Sequence, residues 1–297
     1  VSEKRYREFI GQCTLADKLN FDSIWMAEYH FNPKFSIMPS PLLVGSAVAQ
    51  CTTRIKIGTA VSLLPLHHPV RLAEEVATLD IISGGRALFG IGRGSNPEHY
   101  SGLGINMDEA RSRFLEGLDV VKEAWTSELL CHSGPHYNID NIRVVPKPLQ
   151  KPHPPIYIAS NSPDTFPIVG ELGHNILVTP IIITTQGVID NLAVYRKNLI
   201  EHGHKTSDVK VIPTLAACVS NDRGKARELL EVTLDNYLGV LRSGQSRRSS
   251  RASQLTAKSI IEDYAIVGDP SECIEKILEI EESMDCQGIL LWQNIGG

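Results

Sequence analysis

The chain has 297 residues, 42% of them hydrophobic, with 29 lysines and arginines against 34 aspartates and glutamates and a formal net charge of −5. That balance speaks against nucleic acid as the main partner, because phosphate binding draws on clustered positive charge. The absence of any apolar run of about 18 residues, and of an apolar signal core in VSEKRYREFIG at the start, leads us to expect a soluble, cytoplasmic protein with no membrane partner.

In chain order, residues 3–19 read as a helix, and Phe21 to Ala27 as a strand that runs into Glu28, Tyr29, His30 and Phe31. Residues 41–50 form a second helix. Ile55, Ile57, Ala60, Val61, Leu63 and Leu64 make a near-continuous β-prone run, as a parallel strand covered on both faces requires. Pro69 opens a helix whose Leu72, Val76, Leu79 and Ile82 recur at helical spacing, and Ser83-Gly84-Gly85 ends it. The next strand ends in Gly90, Gly92 and Gly94 around Arg93, which completes a right-handed βαβ crossover with ligands expected beyond the carboxyl ends of its strands. A long loop with Gly102 and Gly104 follows, since Pro97 blocks an immediate helix. Phe114, Leu118, Val121 and Trp125 then mark a helix. Residues 128–155 lack periodicity and read as an insertion, with a hairpin as one form it could take.

Strands at Pro155 to Ser160, Asn175 to Thr179, Val211 to Ser220 and Gly288 to Gln293 complete the alternation. Helices fall at 164–173, along Val188, Leu192, Tyr195 and Leu199, through Leu230 and Leu241, and from Pro270. The small polar residues of 242–258, including Arg247, Arg248 and Arg251, predict a mobile segment. We therefore expect one α/β domain over 1–297, a (β/α)8 TIM barrel. Seven strands are visible, and the alternation begins in a helix and ends in a strand, so a first strand and a last helix are lacking in this segment. A doubly wound open sheet is the competing architecture.

Several residues stand where such folds place chemistry. Arg93 between glycines can fork two donors onto a phosphate that the backbone approaches closely, or it is a surface arginine at a tight strand exit. Ser162 and Thr165 follow a strand and open a helix, where free amides attract anions; capping of that helix is the alternative. His30, with Glu28 two residues earlier, follows a strand end and can relay protons near neutral pH, or it is a hydrogen-bonded structural histidine. The adjacent His67 and His68 cannot easily face one ion, so no metal is expected and helix-entry packing accounts for them. His132, His136 and His153 stay unassigned. Six cysteines, at 13, 51, 131, 218, 273 and 286, show no ligand spacing and read as reduced thiols.

The segments AEYHF at 27–31, GTAVSLLPLHHPVRLAEEVATLDIISGGR at 58–86, FGIGRG at 89–94, YIASNSPDT at 157–165 and VGDPSECIEKI at 267–277 resemble the bacterial luciferase-like flavin-dependent monooxygenases, a (β/α)8-barrel superfamily. The resemblance covers nearly the whole chain. It implies that reduced FMN and O2 act as co-substrates, with a C4a-hydroperoxyflavin attacking a small organic substrate. It also implies a homodimer or related heterodimer. The chain has no nicotinamide-binding unit of its own, which fits reduced FMN coming from a separate flavin reductase. The resemblance assigns Arg93 and Gly94 to the flavin phosphate, met from the opposite side by the turn of Asn161, Ser162 and Thr165. It implies a non-prolyl cis peptide at Ala60–Val61, with Thr59 and Ala60 as flavin contacts, and it assigns Glu28, Tyr29 and His30 to catalysis. Tyr29 stands where relatives often carry the first of two histidines, which makes luciferase-like light emission unexpected and leaves Tyr29 a hydrogen-bond donor. Gly92 replaces the reactive cysteine of luciferase. The segment 242–258 takes the position of an active-site lid, and Trp292 that of a substrate-pocket wall or of barrel core. An F420-dependent hydride transfer and a non-catalytic flavin-binding subunit are the alternatives.

Overall fold

Short β-branched runs between glycines and prolines become parallel strands here, and the longer periodic runs become the helices that cover them. The computed structural model describes residues 2–181, 183–243 and 254–292. Contacts divide the chain into two compact units, Val1–Tyr157 and Ile158–Gly297.

The first unit opens with α1 (Ser2–Lys18), β1 (Ser23–Met26), α2 (Pro41–Cys51), β2 (Lys56–Thr59) and the two-residue β3 (Ser62–Leu63). A single 3-10 turn at Leu64–Leu66 leads into α3 (Pro69–Ile82), and β4 (Ala87–Gly92) follows. β1 pairs parallel to β2 with Met26 opposite Thr59, and β2 and β3 both pair with β4. Met26, Ile57 and Ala87 face Val48, Ala49 and Leu79 of the covering helices, with Cys13 closing the cluster; all are under 9% exposed. Burying each of the larger ones, Met26, Val48, Ile57 and Leu79, stabilises the unit by about 1.5–3 kcal/mol. Arg86 fixes the lower end of this layer, because its guanidinium donates to the carbonyls of Ala49, Thr52, Ile55 and Ser83 and so satisfies the free end of α2.

One feature of this unit departs from the sequence reading, and the hairpin allowed for in the insertion is present. Pro97 starts a helix instead of blocking one: α4 (Pro97–Gly102) is capped by the Asn96 side chain, which accepts from the Glu98 amide, and proline suits the first helical position because its missing N–H has no partner there. After α5 (Ala110–Thr126), the segment 128–155 holds an antiparallel pair, β5 (Leu130–Ser133) and β6 (Asn138–Ile142). Its turn wraps one carboxylate: Glu116 accepts from the amides of His136 and Tyr137 and from His132 Nε2. His132 therefore holds the hairpin to α5.

β7 (Ile156–Ala159) carries the chain into the second unit, which continues with α6 (Phe166–Leu172), β8 (Asn175–Val178), α7 (Thr185–Glu201), β9 (Val211–Val219), α8 (Arg223–Ser243), α9 (Ala257–Tyr264), β10 (Ala265–Gly268), α10 (Pro270–Met284) and β11 (Leu290–Trp292). β8, β10 and β11 all pair parallel to the long β9, and Ala216 is registered against both Ala265 and Trp292. The sequence reading missed α9 and β10. They hold eight and four residues, too few for periodicity to register; α9 is fixed by the paired cap of Thr256 with Ser259 and β10 by its pairing with β9, while Asp269 with Glu272 caps the following α10. Most of the expected lid at 242–258 lies outside the described residues, as do Arg247, Arg248 and Arg251. Among the described residues, no helix is long and apolar enough to cross a membrane.

Candidate functional site

The chemistry of the first unit gathers where β1, β3 and β4 end. Glu28 follows β1, and its amide donates to Val61 O at 3.2 Å while Ala60 N donates to Met26 O at 2.7 Å. The Ala60–Val61 peptide between them is cis. This crossing of chain turns the Glu28 side chain inward, where it is 2% exposed. A carboxylate that deep costs several kcal/mol in lost hydration unless it is fully bonded. Here it is: Leu63 N donates to Oε2 at 2.9 Å, His30 Nε2 meets Oε1 at 2.8 Å, and His67 Nε2 lies 2.9 Å from each oxygen. Burial alone would push the Glu28 pKa up, but the bond and charge of His67, with the His30 and Leu63 bonds, bring it below its ordinary value. Burial likewise pulls His67 down, and the Glu28 bond and charge, helped by Glu75, leave it raised.

His67 is the residue that sequence reasoning missed. It does not serve helix-entry packing alone, because its ring is bonded to a carboxylate 39 positions away. The available signal was its place one 3-10 turn after the short strand whose Leu63 amide bonds Glu28.

An ionised carboxylate only accepts, so both imidazoles carry hydrogen on Nε2. His30 Nδ1 has no hydrogen-bond partner among the described residues. That nitrogen is positioned to accept a proton.

The loop that carries His30 is held from α4. His30 N donates to His99 Nε2 at 3.4 Å, and the buried His99 ring stands edge-on to Tyr29 at 4.5 Å and to His30 at 5.4 Å. Tyr29 stacks on Phe35 at 4.2 Å, and its hydroxyl accepts from Asn96 Nδ2 at 3.3 Å. From the same helix, the Tyr100 hydroxyl donates to Arg93 O. The half-buried Arg93 guanidinium pairs with no carboxylate among the described residues. Gly94 beside it has φ +75, and an added Cβ would press on Leu63.

Thr59 and Ala60 border this site. The Thr59 hydroxyl donates to Gly90 O at 2.6 Å and accepts from Gly90 N at 3.1 Å, so its side chain locks β2 to β4 and is 1% exposed. A Cβ on Gly90 would collide with Thr59 O. Thr59 as a whole is therefore closed off, contrary to its expected role as a flavin contact, whereas Ala60 is half-buried.

In the second unit, the turn after β7 carries Asn161, Ser162 and Thr165 alongside the exposed Asp164. Asn161 Oδ1 accepts from Thr179 N at 3.1 Å and so joins the ends of β7 and β8. Ser162 Oγ bonds Thr165 Oγ1 at 2.9 Å, and Thr165 N donates to Ser162 O at 3.0 Å. Both hydroxyls are half-buried. Trp292, at the end of β11, stands edge-on to Tyr237 of α8 at 5.0 Å.

The luciferase-like monooxygenase family model matches residues 1–285. The uncharacterized protein y4vJ of Sinorhizobium fredii is 34% identical over 267 residues, which cover 89% of this chain and 72% of that protein. The oxygenase component of a flavin-dependent trigonelline monooxygenase from Acinetobacter baylyi is 34% identical over 183 residues, 61% of this chain and 50% of that one. Among solved structures, monooxygenase RslO1 from Streptomyces bottropensis matches with a TM-score of 0.88 at 27% identity, covering 98% of this chain and 87% of that one. The chain belongs to the luciferase-like monooxygenases, an α/β TIM-barrel family of flavin-dependent oxidoreductases.

Proposed function

We propose that the chain is the oxygenating component of a two-component monooxygenase that takes reduced FMN from a separate reductase and uses O2 to oxidise a small organic substrate. The oxygenase component named among its relatives supports that division of labour. Reduced flavin, when bound, supplies the electrons that activate oxygen. The residues present fit such a group: Arg93 is a half-buried cation with no internal counter-ion among the described residues, just past a strand whose Gly90 leaves no room for a side chain and beside Gly94 at φ +75.

In this reading Arg93 binds the phosphate with its guanidinium fork. The hydroxyls of Ser162 and Thr165, with Asn161 bracing their turn, are a further set of phosphate donors, each to be judged by its own variant. Ala60, half-buried, offers a contact to the ring system, and the buried Thr59 braces it from β4. The observation that carries the proposal is the His30–Glu28 pair: an imidazole anchored through Nε2 to a buried carboxylate, with Nδ1 left to hold or move a proton. Tyr29 fixes that loop and offers its hydroxyl as donor, and Trp292 is a candidate for the substrate wall.

The test is anaerobic titration with reduced FMN and, separately, with reduced F420, followed by admission of oxygen. Saturable binding of reduced FMN and oxygen uptake on mixing are expected. Binding of reduced F420 with none of reduced FMN would overturn the proposal in favour of hydride transfer.

A further inference from the structure

Two imidazoles share one buried carboxylate in the first unit, and a single negative charge can form a full ion pair with only one of them at a time. We propose that His67 is the counter-ion of Glu28, a positioning residue whose charge leaves His30 neutral and able to accept a proton at Nδ1. The inference deepens the proposed proton role of His30 and rests on that reading for its consequence in turnover, though not for its test.

The geometry separates the two rings. His67 Nε2 lies 2.9 Å from both Glu28 oxygens, whereas His30 Nε2 meets Oε1 alone. The His67 side chain is 31% exposed and that of His30 13%. A proton placed on His67 is thus better paired and loses less hydration than one placed on His30.

The groups around each ring favour the same order. Facing His67 are Glu28 and, from α3, Glu75, itself paired with Arg71 at 3.0 Å; the amide end of α3, which begins two residues on, opposes the charge, while the carboxylate is in hydrogen-bond contact. Facing His30 are Glu28, the edge of the His99 ring at 5.4 Å and the neighbouring Tyr29 and Phe31, none of which adds negative charge beyond the shared carboxylate. Once His67 is charged, the Glu28–His67 pair is neutral as a whole. His30 then donates to an oxygen whose charge is already met. Remove His67, and the whole carboxylate charge acts on His30, which becomes an imidazolium and no longer a base.

The experiment uses the full chain with 13C-labelled histidine, without flavin or turnover, following each imidazole resonance against pH and assigning His30 and His67 by their His→Gln variants. The expected result is a His67 midpoint above that of His30 by about one pH unit, a tenfold preference. In His67→Gln, which keeps a hydrogen-bond donor to Glu28, the His30 midpoint is expected to rise by about the same amount. A His30 midpoint equal to or above that of His67 in the unaltered protein overturns the proposal, and so does a His30 midpoint unmoved in His67→Gln. If that variant does not fold, the order of midpoints in the unaltered protein decides. Loss of the monooxygenase reading leaves this outcome untouched, because no step of the measurement involves a cofactor.

Discussion

The strand ends of the two units are built from different materials. In residues 1–157 they gather a buried carboxylate, two imidazoles and a guanidinium with no carboxylate partner among the described residues; the backbone excludes a side chain at Gly90, and Gly94 has φ +75. In residues 158–292 the turn after β7 keeps its carboxylate, Asp164, exposed, and its half-buried groups are an amide that bonds the segment after β8 and two hydroxyls that bond each other. Buried charge is expensive and must be paired, so its removal is felt at once; neutral groups that satisfy one another can be altered one at a time. The first unit should therefore answer steeply to substitution and to pH, and the second gently to both.

The sharpest way to break this contrast is Glu28→Ala. It leaves two imidazoles and the Leu63 amide without their partner, and should lower the unfolding free energy by about 3–5 kcal/mol in chemical denaturation, as loss of one member of a buried pair does. A loss no greater than that of a surface substitution would show the cluster to be solvated.

The pH dependence of the same difference sharpens the point. Glu28 has its folded pKa below the ordinary 4.5, so its contribution is complete above 4.5 and disappears as pH falls through the folded value. His67 has its folded pKa above the ordinary 6.5, so its contribution is complete below 6.5 and disappears as pH rises through the folded value. Stability of the unaltered protein relative to Glu28→Gln should peak between 4.5 and 6.5 and decline on both sides. A flat difference would refute the pairing.

Next in size, Arg93→Ala should weaken FMN by about 10–100-fold, the worth of a charge-assisted fork, and riboflavin hardly at all. Equal losses for both ligands would remove the phosphate role. Thr59→Val gives up both bonds to Gly90 and should cost about 1–3 kcal/mol in unfolding free energy. Ser162→Ala is the mildest: a neutral hydroxyl is worth about 0.5–1.5 kcal/mol, so FMN affinity should fall by no more than about tenfold. If Ser162→Ala exceeded Arg93→Ala, the assignment of charge handling to the first unit would be wrong.

Much of this was legible in the chain. The βαβ unit around α3 announced itself because Leu72, Val76 and Leu79 repeat at helical spacing and all three are buried. Glu28 and His30 were legible because a strand end followed by ionisable residues is rare in a core. His67 was not, since its role depends on the chain crossing at Ala60–Val61, which brings positions 28 and 63 within one hydrogen bond. Proline misled at position 97, where its meaning reverses with the cap that precedes it. The short α9 and β10 were invisible to periodicity, as their stability comes from side-chain caps and from pairing with β9.

Six residues of α4 are too few to hold a helical shape alone. Asn96 and His99 grip the segment that follows β1, and Tyr100 grips the one that follows β4. Transplanting either segment from a cousin sequence without its neighbours would orphan the contacts on the other. These stretches should pass between homologues as a block, and chimeras that exchange AEYHF together with GRGSNPEHY should succeed where single-segment grafts fail.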